Sequence, residues 1–567
     1  MKQAHLSLLG APFALVLALA GAAPAVAQSW GDEVTGGGEG GGDGAPSSAS
    51  PTASSGGRRV ALTPYLEVSQ VVLKELSPGD DTVTYTQVAA GVDASVQGRN
   101  NGGSVSIRYE RNFGWNANSY DSDTITGVAR GYATVVPQAL TVEGGALAAR
   151  TRVDASGSTT LSPLDNSSAE SRTYAGYIGP NLHTRAGDVE VNANYRFGYT
   201  KVEAPNAYVA APGANPVDVF DNSRVHSANL HLATRPGEPL PVGLGVGGGF
   251  YQEDISNLDQ RVRDAHVRAD VTVPLSPSVA VVGGVGYEDV QISSRDVLRD
   301  TNGDPVIGSD GRYVTDKSAP RQIAYDTSGL IWDVGVLWRP STRTSFEAHV
   351  GKRYDSTTYY GSFAWAPTSR SAVNIAAYDG VFGYGGQLTN ALAALPTDFQ
   401  AVRNPLTGDV NGCVASLEGG SCLNGVLGSV RAATFRSRGL AATYSVQAGR
   451  MGATFGLGYD RRKFIAAPGT ILAAANGKID ETYWAAIALN GQVGRSGNFT
   501  LSTYGNYFDS GVSNASAWGV GSTASYSQSI TRNLSARAAV AYDFLNSDLS
   551  AEDIAAASAL VGLRYDF

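Results

Sequence analysis

The chain has 567 residues, of which 43% are hydrophobic and only 16% charged, with a formal net charge of −9. An ordinary globular protein is ~25% charged, and an acidic chain gives a nucleic-acid partner no electrostatic support. Two cysteines exclude a disulfide-stapled scaffold, 27 Tyr and 16 Phe argue against general disorder, and after residue 27 no run approaches the ~18 apolar residues of a spanning helix.

The N-terminus reads as an export signal. Lys2 precedes an apolar stretch that includes Leu8, Leu9, Phe13, Leu15, Val16 and Leu17, and Ala25-Val26-Ala27 is a small-x-small cleavage site. A secretory signal peptide over 1–27 is expected, cut before Gln28. A retained anchor is the alternative, but the apolar stretch is short for one. No cysteine stands at the cut, so a lipoprotein is not indicated. Residues 28–57 are Gly/Ser-rich, have almost nothing to bury and read as a disordered periplasmic tether.

From residue 58 onward the sequence alternates with period two. Val189, Val191, Ala193, Tyr195, Phe197 and Tyr199 interleave with Glu190, Asn192, Asn194, Arg196, Gly198 and Thr200. Successive side chains of a strand point to opposite faces, so one face is apolar and the other polar. Val105, Ile107 and Tyr109 likewise oppose Ser106, Arg108 and Glu110. Ala265, Val267, Ala269 and Val271 oppose Asp264, His266, Arg268 and Asp270. Leu534, Ala536, Ala538, Val540 and Tyr542 oppose Ser535, Arg537 and Asp543.

A soluble sandwich would alternate too. These segments, however, reach the ~9–11 residues that cross a bilayer obliquely, whereas soluble strands average ~5–6. Aromatic residues cluster near their ends, as interfacial girdles do. Loop lengths also alternate. Tight turns near Asn101-Gly102, Pro236-Gly237, Pro340-Ser341 and Ser496-Gly497 are separated by longer loops, chiefly 155–170, 204–222, 294–324, 384–434 and 465–480. The expected fold is all-β: a transmembrane, antiparallel, up-and-down β-barrel over 58–567. It has short periplasmic turns, long extracellular loops and about 22 strands, within a range of roughly 20–24.

Val561, Leu563, Tyr565 and Phe567 alternate with Gly562, Arg564 and Asp566 at the end of the chain. This resembles the carboxy-terminal assembly signal of Gram-negative outer-membrane β-barrels. The resemblance implies a cell outer-membrane location, with lipid and the barrel-assembly machinery as partners. The opening strands, Val60 to Glu67 and Gly103 to Trp115, resemble an outer-membrane barrel family associated with exosortase and exopolysaccharide systems, which implies a role beside polysaccharide export.

If the apolar face meets lipid, the polar face lines the lumen. Parity places Arg108, Glu110, Glu190, Arg196, Asp264, His266, Arg268, Asp270, Glu347, Arg353, Asp460, Arg462, Arg537 and Asp543 there. Such mixed charges form cross-strand ion pairs or tune a water-filled conduit. A barrel of this size is too wide to be filled by its own side chains. The tether cannot supply a plug, so the lumen is open or occluded by loops, with 294–324 and 384–434 as candidates.

Cys413 and Cys422 fall in the longest loop, and an oxidising compartment predicts a disulfide between them. No nucleophile motif or short-spaced histidine pair suggests an enzyme, a metal or another cofactor. Asp300, Asn302 and Asp304 echo a calcium loop, but Pro305 replaces the expected glycine. The expected function is a porin-like channel for small hydrophilic solutes. The alternative is a component of exopolysaccharide export, or a structural barrel whose loops bind a surface partner.

Overall fold

The computed structural model describes residues 59–115, 121–153, 159–160, 170–203, 208–209, 216–217, 222–415, 421–427, 433–548 and 553–567. The expected signal peptide and tether lie outside them.

A closed, antiparallel ring of 22 long strands makes up the described chain. In chain order these are β1 Arg59–Ser77, β2 Thr82–Gln97, β3 Asn101–Gly114, β4 Ser122–Val136, β5 Leu140–Val153, β6 Glu170–Ala186, β7 Val189–Glu203, β8 Asn222–Thr234, β9 Gly243–Ile255, β10 Gln260–Ser276 and β11 Val279–Ser294. They continue as β12 Gln322–Ser341, β13 Thr344–Arg353, β14 Ser356–Thr368, β15 Ser371–Phe382, β16 Phe435–Ala448, β17 Met451–Phe464, β18 Ile479–Val493, β19 Gly497–Ser510, β20 Ala515–Ser529, β21 Leu534–Ser547 and β22 Ile554–Asp566. Each strand pairs with its sequence neighbours. β22 returns to β1, with Tyr565 opposite Leu66 and Leu560 opposite Val71, so the last strand closes the ring on the first.

The pleat explains the alternation. Ile107, Tyr109, Tyr195, Tyr199, Val267, Val271, Tyr483, Val540, Tyr542, Val561 and Leu563 are exposed on the outside, while Arg108, Glu110, Asp264, Arg268 and Asp543 on the other face are buried. A closed ring satisfies its ladder groups internally along nearly all of its seams, and an apolar exterior suits hydrocarbon; together they describe a membrane-spanning barrel.

Four outer connections are as tight as periplasmic turns: residues 78–81, 256–259, Tyr354-Asp355 and 511–514. Loop length therefore does not mark the outer side at every hairpin. Tyr354 and Asp355 both sit at positive φ, 54° and 49°, the type I′ geometry that matches strand twist.

The long connection between β15 and β16 turns into the barrel. It carries helix α1, Tyr384–Ala393, a small three-stranded sheet formed by Gln400–Arg403, Val410–Ala415 and Ser421–Cys422, and the short helix α2, Asn424–Leu427. Of the two candidate plugging loops, this is the one that plugs. Segment 295–321 instead folds on itself through the bridges Val297 to Thr315 and Ile307 to Tyr313. It packs with Leu258, Ile471 and Leu472 of neighbouring outer loops. Its apolar residues find partners at the rim, so nothing draws it inward.

Candidate functional site: the plugged lumen

α1 lies against the interior of β5 to β8, the 400–403 and 410–415 strands against β3 and β4, and α2 against β17 and β18. Leu406 reaches the closure of the ring, packing with Val71, Ala539, Ala541 and Leu560. One loop thus touches several separated parts of the wall.

The apolar part of this docking departs from the simple parity rule. Val128, Leu147, Ala149, Tyr177 and Val202 face the interior and form one cluster with Tyr384, Leu388, Leu392, Leu395 and Phe399 of the plug. The inner face of β4 to β7 thus carries an apolar patch where α1 rests on it, beside the charged Glu143 and Arg196. Burying such side chains stabilises docking by about 1.5–3 kcal/mol each as an upper estimate.

The polar part is directional. The Glu253 carboxylate on β9 accepts from Gly383 N at 2.6 Å, Gly386 N at 3.0 Å, Ser223 Oγ at 2.7 Å and Tyr251 Oη at 2.6 Å. The barrel wall thereby supplies an anionic cap to the first turn of a plug helix whose own N-cap, Gly383, has no side chain. The fit is close: a Cβ on Gly386 would overlap the Tyr251 hydroxyl, and one on Gly385 would overlap Ser223.

Further along, Arg150 on β5 grips Asp409 with Nε at 3.1 Å and Nη2 at 3.2 Å, and also donates to Thr407 O at 3.0 Å. Arg403, from the plug, donates to neutral oxygens of the wall and plug: Ser106, Thr126 and Gly408 O. Burial, the largest influence on it, lowers its pKa from the ordinary arginine value. Gln87 Nε2 donates to Leu406 O at 2.9 Å, and Ser104 Oγ donates to Thr397 O at 3.0 Å.

The sequence-derived interior residues fall into linked ion-pair groups. Arg108 donates to Glu67 at 2.8 Å and Glu110 at 3.1 Å, and Arg537 joins through Glu67. Arg353 meets Asp264 at 2.9 Å and Glu288 at 3.1 Å, with His266 Nδ1 at 2.9 Å. Arg268 links Asp333 at 2.7 Å to Asp270 at 2.9 Å; His349 bridges Asp333 and Glu347, at 2.9 and 3.1 Å. Arg462 pairs with Asp460 at 2.7 Å, Arg196 with Glu143 at 3.4 Å, and Glu190 with Arg235. Asp543 accepts from Tyr504 Oη at 3.4 Å. The plug joins this network where Gln387 donates to Asp460 at 3.1 Å and where Arg196 reaches Asn390 at 3.5 Å.

Parity reasoning did not single out Glu67, Arg150, Glu253, Arg403 or Asp409. Glu67 and Glu253 alternate correctly in their strands, so their parity was readable. Arg403 and Asp409 lie in a loop, where no period exists to read. Cys413 and Cys422 stand directly opposite each other in the plug sheet, and their side chains lie outside the described residues. Asp300 accepts from the backbone amides of Asn302 and Asp304, which is turn chemistry. The described residues contain no group of three potential metal ligands.

No family model and no curated protein matches the chain. Among solved structures, it is similar to the FrpB iron transporter from Neisseria meningitidis (F5-1 variant), at 12% identity and a TM-score of 0.41, over 88% of this chain and 82% of that one. It is also similar to the ferric-catecholate import receptor Fiu from K12 E. coli, at 9% identity and a TM-score of 0.38, over 88% and 81%. A ferric enterobactin receptor mutant from Pseudomonas aeruginosa gives 8% identity and a TM-score of 0.37, over 89% and 81%. At such identities the similarity is one of barrel shape, not of sequence or site. Closed ring, apolar exterior and polar interior together make this chain a β-barrel of the outer membrane.

Proposed function

We propose that the barrel is a conduit for small hydrophilic solutes whose plug, 383–434, is a gate rather than a fixed core. The observation that carries this reading is how the plug is held. Beyond the apolar contacts of α1, of Leu395 and Phe399 after it and of Leu406, it is tied to the wall by side-chain hydrogen bonds and the Arg150–Asp409 pair, contacts that water can replace. The interior groups Arg108, Glu110, Asp264, Arg268, Asp333, Arg353, Asp460 and Arg462 are of both signs and mutually paired. They offer a path to polar solutes of either charge more readily than a trap for one.

Planar-bilayer conductance of the purified protein tests the proposal. The intact chain is expected to conduct rarely and in brief openings, and deletion of 384–432 to give steady openings of one size. A deletion variant that folds, shifts on gels as a barrel and never conducts would sink the channel.

We also propose that Cys413 and Cys422 form a disulfide within the plug. Directly opposed antiparallel residues have Cα atoms about 4.5–5.5 Å apart, inside the ~4.4–6.8 Å that a disulfide spans. An exported chain meets an oxidising compartment. Alkylation under denaturing conditions is expected to add no mass before reduction and two adducts after it; two adducts without reductant would exclude the bridge.

A further inference from the structure

One seam of the ring is incomplete. β14 and β15 pair at six positions, from Gly361 opposite Ala377 down to Thr368 opposite Ser371, all in the periplasmic half. Every other long-strand seam has at least eight such positions, and β11 with β12 has sixteen. Above Gly361 the ladder stops. Residues 356–360 of β14 have partners only on β13, and residues 378–382 of β15 only on β16. Within that stretch Thr358 is 3% exposed, and its hydroxyl has no hydrogen-bond partner.

A lipid-facing wall cannot leave backbone groups unsatisfied. Here two guanidinium groups bridge the gap and bond one backbone oxygen on its far side. Arg436 and Arg438 on β16 share the outer face with Leu440 and Tyr444, which are exposed. Both reach across β15 to the free edge of β14. Arg438 Nη2 donates to Thr357 O at 2.6 Å and Arg436 Nη2 to the same oxygen at 3.3 Å; Arg436 also bonds Ser356 Oγ. Between them lies Asp379 of β15, which takes a bidentate pair from Arg436 at 2.7 Å and a bond from Arg438 at 3.1 Å. This carboxylate is 2% exposed. Arg438 also lies over the ring of exposed Tyr359, 5.8 Å from its centroid.

Three features make this more than a local irregularity. A side-chain latch can release without unzipping a strand pair, so the upper seam can part while the lower six positions stay closed. β15 and β16 are also the two stems of the plug, joined at its base by Phe382 opposite Phe435. On the inner side the gap is bordered by Tyr354, Tyr360, Tyr378 and Phe382, and the three tyrosines turn their hydroxyls to Asp264, Asp333 and Asp460. That wall offers ring surface at the gap and charge behind it, which suits a molecule with an apolar tail and a polar head.

We propose that the outer half of the β14–β15 seam is a lateral portal between the lumen and the outer leaflet, latched by Asp379, Arg436 and Arg438, through which an amphiphilic solute passes. The portal extends the conduit reading, because it presumes a lumen that the plug vacates, and it is tested without measuring conductance.

Ser362 lies one position below the gap, on the face of Glu347, and Ser362→Cys in a Cys413→Ser/Cys422→Ser background places a reporter thiol there. In liposomes its labelling by a membrane-soluble N-alkyl maleimide is compared with that by a sulfonated, water-soluble maleimide. Asp379→Ala is expected to speed the alkyl reagent about ten-fold and to leave the sulfonated reagent within about two-fold. The paired substitution Arg436→Lys/Arg438→Lys keeps the charge, loses the fork and is expected to give a smaller acceleration in the same direction. It keeps the test open if Asp379→Ala does not fold. Unchanged alkyl labelling in a folded variant overturns the portal. Equal acceleration of both reagents also overturns it, since that would report a loosened plug.

Discussion

Glu253 shows how much one interior side chain decides. Each of its oxygens accepts one amide from the start of α1: Oε2 from Gly383 and Oε1 from Gly386. Glutamine keeps the size but turns one oxygen into an NH2 group, and either orientation sets that donor against a backbone donor. A buried donor left without an acceptor costs about 1–3 kcal/mol, and about 1.4 kcal/mol of that is already ten-fold in the released fraction. Glu253→Gln is therefore expected to raise trypsin cleavage at Arg403 about ten-fold while the barrel keeps its folded gel mobility. Cleavage at the parental rate would mean that the carboxylate does not hold the plug.

Among the elements, α1 is the piece whose two sides do different work. Leu388 and Leu392 sit fully buried against Val128, Leu147 and Val202, while Gln387 and Asn390 reach the polar wall. Truncating Leu388 removes apolar contact without touching a hydrogen bond, and such a buried change costs about 2–5 kcal/mol. Leu388→Ala should raise amide exchange across 384–393 and leave β17 to β21 protected. Loss of protection in those strands as well would make the plug part of the barrel's core. Strands were legible because period-two alternation survives wherever one face meets lipid and the other meets charge, as in β7 or β10. α1 was not. Its docking site put Val128, Leu147 and Ala149 on the inner faces of β4 and β5 beside Arg130 and Glu143, so the alternation that announced the wall weakened where the plug binds. Tyr384-Gly385-Gly386 also begins the helix with two glycines and no side-chain cap, since the missing cap comes from Glu253, some 130 residues earlier in the chain. The latch was equally hidden. Arg436 and Arg438 lie on a face expected to be apolar, and the reason is a gap two strands away that no local pattern reveals.

For the whole molecule the decisive event is closure, which brings the last strand to the first. Ladder bonds between β22 and β1 achieve it on the backbone, and Glu67 reinforces it inside. Its carboxylate, 1% exposed, meets Arg108 of β3 and Arg537 of β21, so one side chain ties strands on both sides of the closing seam. The two arginines differ in what else they meet. Arg108 keeps Glu110, whereas Arg537 has no second salt-bridge partner among the described residues. Removing the shared anion from a buried group leaves cationic charge uncompensated at a cost of about 3–5 kcal/mol. Glu67→Ala is thus expected to lower the temperature at which the barrel loses its compact gel mobility by several degrees. Glu67→Ala/Arg537→Ala should recover part of that loss, because the stranded cation goes with its partner. Equal or greater loss in the double variant would place the stabilisation in the ladder alone. The recovery discriminates because the ladder is identical in both variants, and only the interior charge across the closing seam differs between them.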